Sequence, residues 1–283
     1  MSAASLRNTA SFTPDERRRG LFYLSLAVGA VGFAMAVQMG LNANFLKEDI
    51  GVNGFQIGLL ESVRESCGIW ALIVLAVLAG ISEPIVAAMM LVLFAIGLGG
   101  YALAPSYLWV MAMSLVWSQG LHVWMPLPHS MAMAFAEPGK TGHRVGQVTA
   151  AGAIGFGSGL VMSLVLSLGN VPMRPMYLIA LGAALLGALA CLRIPRSIDT
   201  ERPRLVLRQR YWRYYLLCFL EGWRKQIFVC FAGFLLVEKH QMSLATMLVL
   251  QIMVQAIGAF SSSRVGKLID RVGERPVLFF YYA

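Results

Sequence analysis

Long apolar stretches separated by short polar segments run through almost the whole chain. Stretches long enough to cross a bilayer as helices lie at 21–46, 54–79, 84–103, 106–135, 147–169, 174–194, 212–237 and 244–264. The closing residues "PVLFFYYA" read as the start of a ninth. The first of these stretches is too long for a signal-peptide core and is read as a membrane span. The pattern predicts an all-α membrane protein. Composition agrees, with 58% of residues hydrophobic and 13% charged in 283, whereas an ordinary globular domain is about one-quarter charged.

Charge adds an orientation. With the N-terminus inside, seventeen of the 23 Lys and Arg fall on the cytoplasmic side, namely Arg7, Arg17 to Arg19, Lys140, Arg144, seven arginines of 193–213, and four basic residues of 264–275. Lys47, Arg174 and Lys239 fall outside, which is a positive-inside distribution. The net charge of +9 is therefore a topology signal, with contact to anionic lipid headgroups of the bilayer, and no nucleic acid is expected as a partner. The expected organisation is a cytoplasmic tail (1–20), six spans (21–194), a basic cytoplasmic linker (195–211) and a second unit (212–283). The expected location is a cell membrane, plasma or inner, with multiple passes.

Two faces of charge stand inside apolar stretches. In "LLESVRESCG" (59–68), Glu61, Arg64 and Glu65 are spaced i, i+3 and i+4 and share one helix face. In "FLEGWRKQ" (219–226), Glu221, Arg224 and Lys225 have the same spacing. Each charge at a helix centre opposes insertion by ~2.5–3.5 kcal/mol, so span 2 needs partners. At ~1.5 Å per residue from the outer ends of their spans, Arg64 lies about 15 Å in and Lys225 about 18 Å in. The first face carries net charge minus one and the second plus one.

The sharpest motif is "GKLIDRVGERPVL" (266–278), after span 8. It resembles the G-x-x-x-D-R-x-G-[RK]-[RK] motif of the major facilitator superfamily, found between the second and third helices of each six-helix half. Gly266, Asp270, Arg271, Gly273 and Arg275 match, and Glu274 stands where a basic residue is expected. In the first half the equivalent turn "GISEPI" (80–85) keeps Gly80 and an acid, Glu83, but lacks the arginine. The resemblance implies a facilitator-type helical bundle, with a six-helix N-terminal half plus about two and a half helices of the C-terminal half. That family has twelve helices, so a bundle of these residues alone is expected not to transport. The motif residues are expected to act as a cytoplasmic gating element. The segments after spans 1 and 7, "NFLKEDIGVNGFQIG" and "GFLLVEKHQMSLATM", share a layout of apolar end, charged cluster and new span.

The resemblance implies transmembrane transport of a small solute by alternating access, with helices 1, 2, 7 and 8 at the outer gate. Glu61 or Glu65 is then expected to pair with Arg224 or Lys225 across the gate, and a carboxylate in that position can carry a coupling proton. The cavity-lining spans 1 and 4 offer Gln38, Asn42, Gln119, His122 and His129 as candidate substrate contacts. His122 and His129 are seven apart and predicted on one face, but without a third ligand they make no metal site. Within span 4, "MPLPHS" (125–130) predicts a kink, and "AGAIGFGSG" (151–159) in span 5 carries G-x-x-x-G, which permits close helix packing.

Other chemistry is thinly represented. The four cysteines form no C-x-x-C pair, and the sixteen methionines read as gap-fillers. The sequence lacks H-E-x-x-H, G-x-S-x-G and a phosphate-binding loop, so no enzyme activity and no cofactor are expected. The alternatives are a membrane-embedded enzyme or sensor, and a facilitator fragment that does not transport.

Overall fold

The computed structural model describes residues 12–196 and 208–282, without some side chains near the C-terminal end. Arg7, most of the linker, and the side chains of Lys267, Asp270 and Glu274 lie outside the described residues. The elements are α1 (Pro14–Asn44), a π-helical turn (Phe45–Asp49), α2 (Gly54–Glu65), α3 (Cys67–Val77), α4 (Glu83–Ala102), α5 (Tyr107–Trp124), α6 (Leu127–Ala134), α7 (Thr141–Leu168) and α8 (Met173–Cys191). After a 3₁₀ turn (Gln209–Tyr211) come α9 (Trp212–His240), α10 (Leu244–Val272) and α11 (Glu274–Tyr282).

The apolar stretches become helices, and polar residues beside them set the ends. Thr13 and Glu16 form a capping box ahead of Pro14, so α1 starts before the apolar run and includes Arg17 to Arg19. Asn53 and Gln56 cap α2 in the same way, and Ser106 and Ser243 cap α5 and α10. Two expected spans are each split into two helices. Span 2 breaks at Ser66, whose hydroxyl turns back to the Val63 carbonyl at 2.7 Å. Span 4 breaks at Met125–Pro126, because proline lacks the N–H that would continue the ladder.

Among the described residues, five helical segments are long and apolar enough to cross a membrane, beginning at Pro14, Glu83, Thr141, Met173 and Leu244. Spans 2, 4 and 7 fall outside that set because of their breaks or charges.

The first six spans pack as one bundle. Glycines let α1 and α7 approach closely: an added Cβ at Gly155 would collide with the Gly29 carbonyl, and one at Gly159 would come 2.6 Å from that of Phe33. We call the end bearing Lys140 and Arg144 the basic end and the opposite one the far end. At the basic end Arg17 donates to the Ala136 carbonyl at 2.7 Å, tying α1 to the end of span 4. At the far end Phe45, Tyr101 and Tyr177 form an aromatic cluster with centroids 5.0–5.7 Å apart, and Arg174 holds Asp49 at 3.3 Å.

Helices α9 and α10 join this bundle through their far-end halves. Their buried apolar residues, among those described, are Cys230, Phe234, Val237, Met247 and Leu248. Leu248 packs with Ala36 and Leu160, and Phe231 lies over Gly58. Toward the basic end, Phe219, Trp223, Met253 and Ile257 are exposed. Both motif turns carry a glycine at positive φ, +91° at Gly80 and +84° at Gly273, a region open to glycine. Gly80 thus matches the turn glycine Gly273 in the sign of φ, whereas Gly266 lies within α10.

Candidate functional site

The charged face of α2 is a closed cluster. Arg64 donates from Nη1 to Oε1 of Glu61 at 2.7 Å and from Nη2 to Oε1 of Glu65 at 2.8 Å. Its guanidinium lies 5.2 Å from the Trp117 ring of α5. Glu61 is buried, while the Glu65 side chain is 40% exposed. Two carboxylates and an aromatic face around one guanidinium balance its charge where water is scarce.

From α9, Gln226 and Cys230 reach this cluster. Gln226 Nε2 and Cys230 Sγ each lie 3.4 Å from Glu61 Oε2 and 3.2 Å from each other. The expected pairing with Arg224 or Lys225 takes another form: Arg224 holds Glu221 at 2.9 Å on its own helix, and Lys225 is exposed. The reason is helix geometry. Consecutive residues turn by about 100°, so a helix that presents Gln226 and Cys230 turns Arg224 and Lys225 to other faces.

A cavity of about 140 Å³ lies beside the cluster, lined by Gln38, Asn42, Glu61, Arg64, Trp117 and Cys230 among others. Gln38 donates to Asn42 at 3.2 Å, so these two span 1 residues present a linked amide pair. The other candidates are dispersed. His122 bonds to Ser118 and has Nε2 3.9 Å from Glu65. His129, beyond the span 4 break, lines a separate apolar cavity of about 380 Å³ with Trp124 and Phe156. That break also separates the two histidines that a continuous helix would place on one face. Gln119 keeps a buried Nε2 with no hydrogen-bond partner among the described residues. Among the described residues, no group of three or more His, Cys, Asp or Glu could hold a metal ion.

Three polar contacts were not anticipated from the sequence. Lys47 meets Glu238 at 3.1 Å and Asn44 donates to the Met242 carbonyl at 3.0 Å, both joining span 1 to the second unit at the far end. The matching layouts after spans 1 and 7 hold the two charged clusters that here meet. Glu83, in the first motif turn, accepts from Ser130 of α6 at 2.7 Å. The acid of "GISEPI" and a hydroxyl beside the span 4 prolines were the available signals. In the second motif, Arg271 and Arg275 are exposed.

Comparison with known proteins settles the family. The profile of the Major Facilitator Superfamily matches residues 24–283. The chain belongs to that superfamily. It is a multi-pass membrane protein with the facilitator helical bundle. No curated protein sequence matches it. Among solved structures it is similar to a bacterial homologue of the human lysosomal transporter Spinster in an inward-facing, occupied conformation. There the identity is 15%, the TM-score 0.69, and the match covers 93% of this chain and 63% of that one. The unoccupied inward-facing form gives 14%, 0.65, 93% and 64%. A peptide transporter, POT, in complex with sulfate gives 11%, 0.54, 82% and 49%. This facilitator chain thus spans just under two-thirds of the Spinster homologue.

Proposed function

We propose that the protein is a secondary transporter that moves a small solute across a cell membrane by alternating access, and is not an enzyme. The N-terminus and the basic end face the cytoplasm in this reading. Gln38, Asn42, Glu61, Arg64 and Trp117 form the solute cavity, and the α2 cluster senses whether α9 is docked. The observation that carries the reading is where the two units touch. Their contacts gather at the far end, around Glu61, Cys230, Lys47 and Glu238, while α9 and α10 expose apolar side chains toward the basic end. That arrangement corresponds to an outer gate closed and a path open to the inside, and the Spinster homologue to which the chain is similar is in an inward-facing conformation.

Closing the path at the far end desolvates Glu61 and Arg64, and charge of that kind inside a membrane commonly marks a solute pathway. Opening the far end would separate Glu61 from Gln226 and Cys230 and admit water or solute. The test is flux of candidate solutes in vesicles that carry these helices within a twelve-helix bundle. Wild type is expected to carry at least one solute that Glu61→Gln carries poorly, with both forms inserted equally. Equal flux through both forms would overturn the assignment of Glu61.

A further inference from the structure

We propose that His122 is a proton-binding site whose charge state is passed to the contact between the two units through Glu65, Arg64 and Glu61. The proton site stands on hydrogen-bond geometry, and only its effect on flux rests on the transport reading above.

Hydrogen-bond partners around the ring decide where its hydrogen sits. The Ser118 hydroxyl lies 3.3 Å from the Arg64 carbonyl, to which it can only donate. Its oxygen, 3.1 Å from His122 Nδ1, is then an acceptor toward the ring. The Ser118 carbonyl, 2.8 Å from the same nitrogen, is a second acceptor. Two acceptors at Nδ1 fix the neutral ring with its hydrogen there, leaving the lone pair on Nε2. Nε2 faces Glu65 Oε2 at 3.9 Å.

Glu65 opens this pair to a groove of about 570 Å³ that it lines between α2 and α9. The ring edge also faces Gly68 of α3, whose neighbour Cys67 is the nearest ionisable group of that helix in sequence, and Arg64 of α2 holds the Glu65 that faces Nε2.

A proton taken from water adds to the Nε2 lone pair, and no bond in the protein breaks. The imidazolium then competes with Arg64 for Glu65, whose Oε1 now accepts from Arg64 Nη2 at 2.8 Å and from Nε at 3.3 Å. Drawing Glu65 toward the ring leaves Arg64 more dependent on Glu61, and Oε2 of Glu61 is the atom that meets Gln226 and Cys230. A charge gained on span 4 thus changes the carboxylate that meets span 7. The relay runs through adjacent contacts at every step, with each charge facing one of opposite sign.

The experiment has two arms on the full chain in nanodiscs or vesicles. Nitrogen-15 spectra of labelled histidine, with His122 assigned by its loss in His122→Asn, are expected to show the neutral ring protonated on Nδ1 and an Nε2–H appearing as the pH is lowered. A neutral ring protonated on Nε2, or one that takes up no proton down to about pH 5, overturns the proposal. In the second arm, solute flux between about pH 6 and about pH 8 is expected to lose its pH dependence in His122→Asn, whose amide can still donate to the Ser118 carbonyl. His143→Asn, at the exposed basic end, is expected to keep it. A wild-type pH profile in His122→Asn overturns the coupling. If no solute flux is found for any form, the spectra still decide the proton site, and the transport reading alone fails.

Discussion

Oε2 of Glu61 lies 3.4 Å from Sγ of Cys230, a contact between residues 169 positions apart. It places a buried carboxylate of the first unit against a helix of the second. Glu61 therefore has two duties, balancing Arg64 within α2 and meeting α9. Removing it should cost more than removing its neighbour. Glu61→Ala leaves Arg64 with one carboxylate in a nearly dry site and is expected to destabilise the fold by ~3 kcal/mol. Glu65→Ala, at a position 40% exposed, should cost less than ~1 kcal/mol. Denaturant titration in mixed micelles measures both, and equal losses would count against the ranking.

The seam between α1 and α7 gives a second expectation. Gly155→Leu places a side chain where the Gly29 carbonyl already sits and should cost ~3 kcal/mol or more. Gly157 has nothing within 4 Å of an added Cβ, so Gly157→Ala should be neutral within ~1 kcal/mol. Thermal melts of the two purified variants would separate these outcomes.

At the basic end, Arg144 donates to both oxygens of Glu137, at 2.7 and 3.0 Å. Hydrogen bonding to Arg144 holds the Glu137 carboxyl down to about 2, from an ordinary 4.5. A lowered carboxyl contributes stability that is present above about 4.5 and is lost as the pH falls toward about 2. Glu137→Gln should therefore lower the melting temperature modestly near neutral pH, as an exposed pair does, and flatten its fall across that window. An unchanged acid-side slope would show that the pair contributes nothing there.

How much of this was legible depends on the kind of signal each residue gives. Spans 1, 3, 5, 6 and 8 follow from uniform apolarity, because every backbone polar group in a bilayer must be paired within a helix. The span 4 interruption was legible in Pro126 and Pro128. The span 2 break was not, since Ser66 carries no comparable stop signal and its hydroxyl turns back to the Val63 carbonyl. The charge face of Glu61, Arg64 and Glu65 could be read from spacing alone. Its partners could not, because opposite net charge on span 7 says nothing about which face of α9 turns inward. Gln226 and Cys230, one turn apart, are chosen by packing of the apolar stripe that continues to Phe234. Lys47 and Glu238 lay in segments whose layouts matched, yet only the fold brings the two charges to 3.1 Å.

The claim that the two units close at the far end and open toward the basic end is tested most directly by joining Lys47→Cys to Glu238→Cys, whose native side chains meet at 3.1 Å, with a bis-methanethiosulfonate reagent that spans the reach of those two side chains. The reagent should cross-link the double variant and stop solute flux, and reduction of its two disulfides should restore it. A double variant that fails to cross-link, or that carries solute at its uncross-linked rate once joined, would contradict the account.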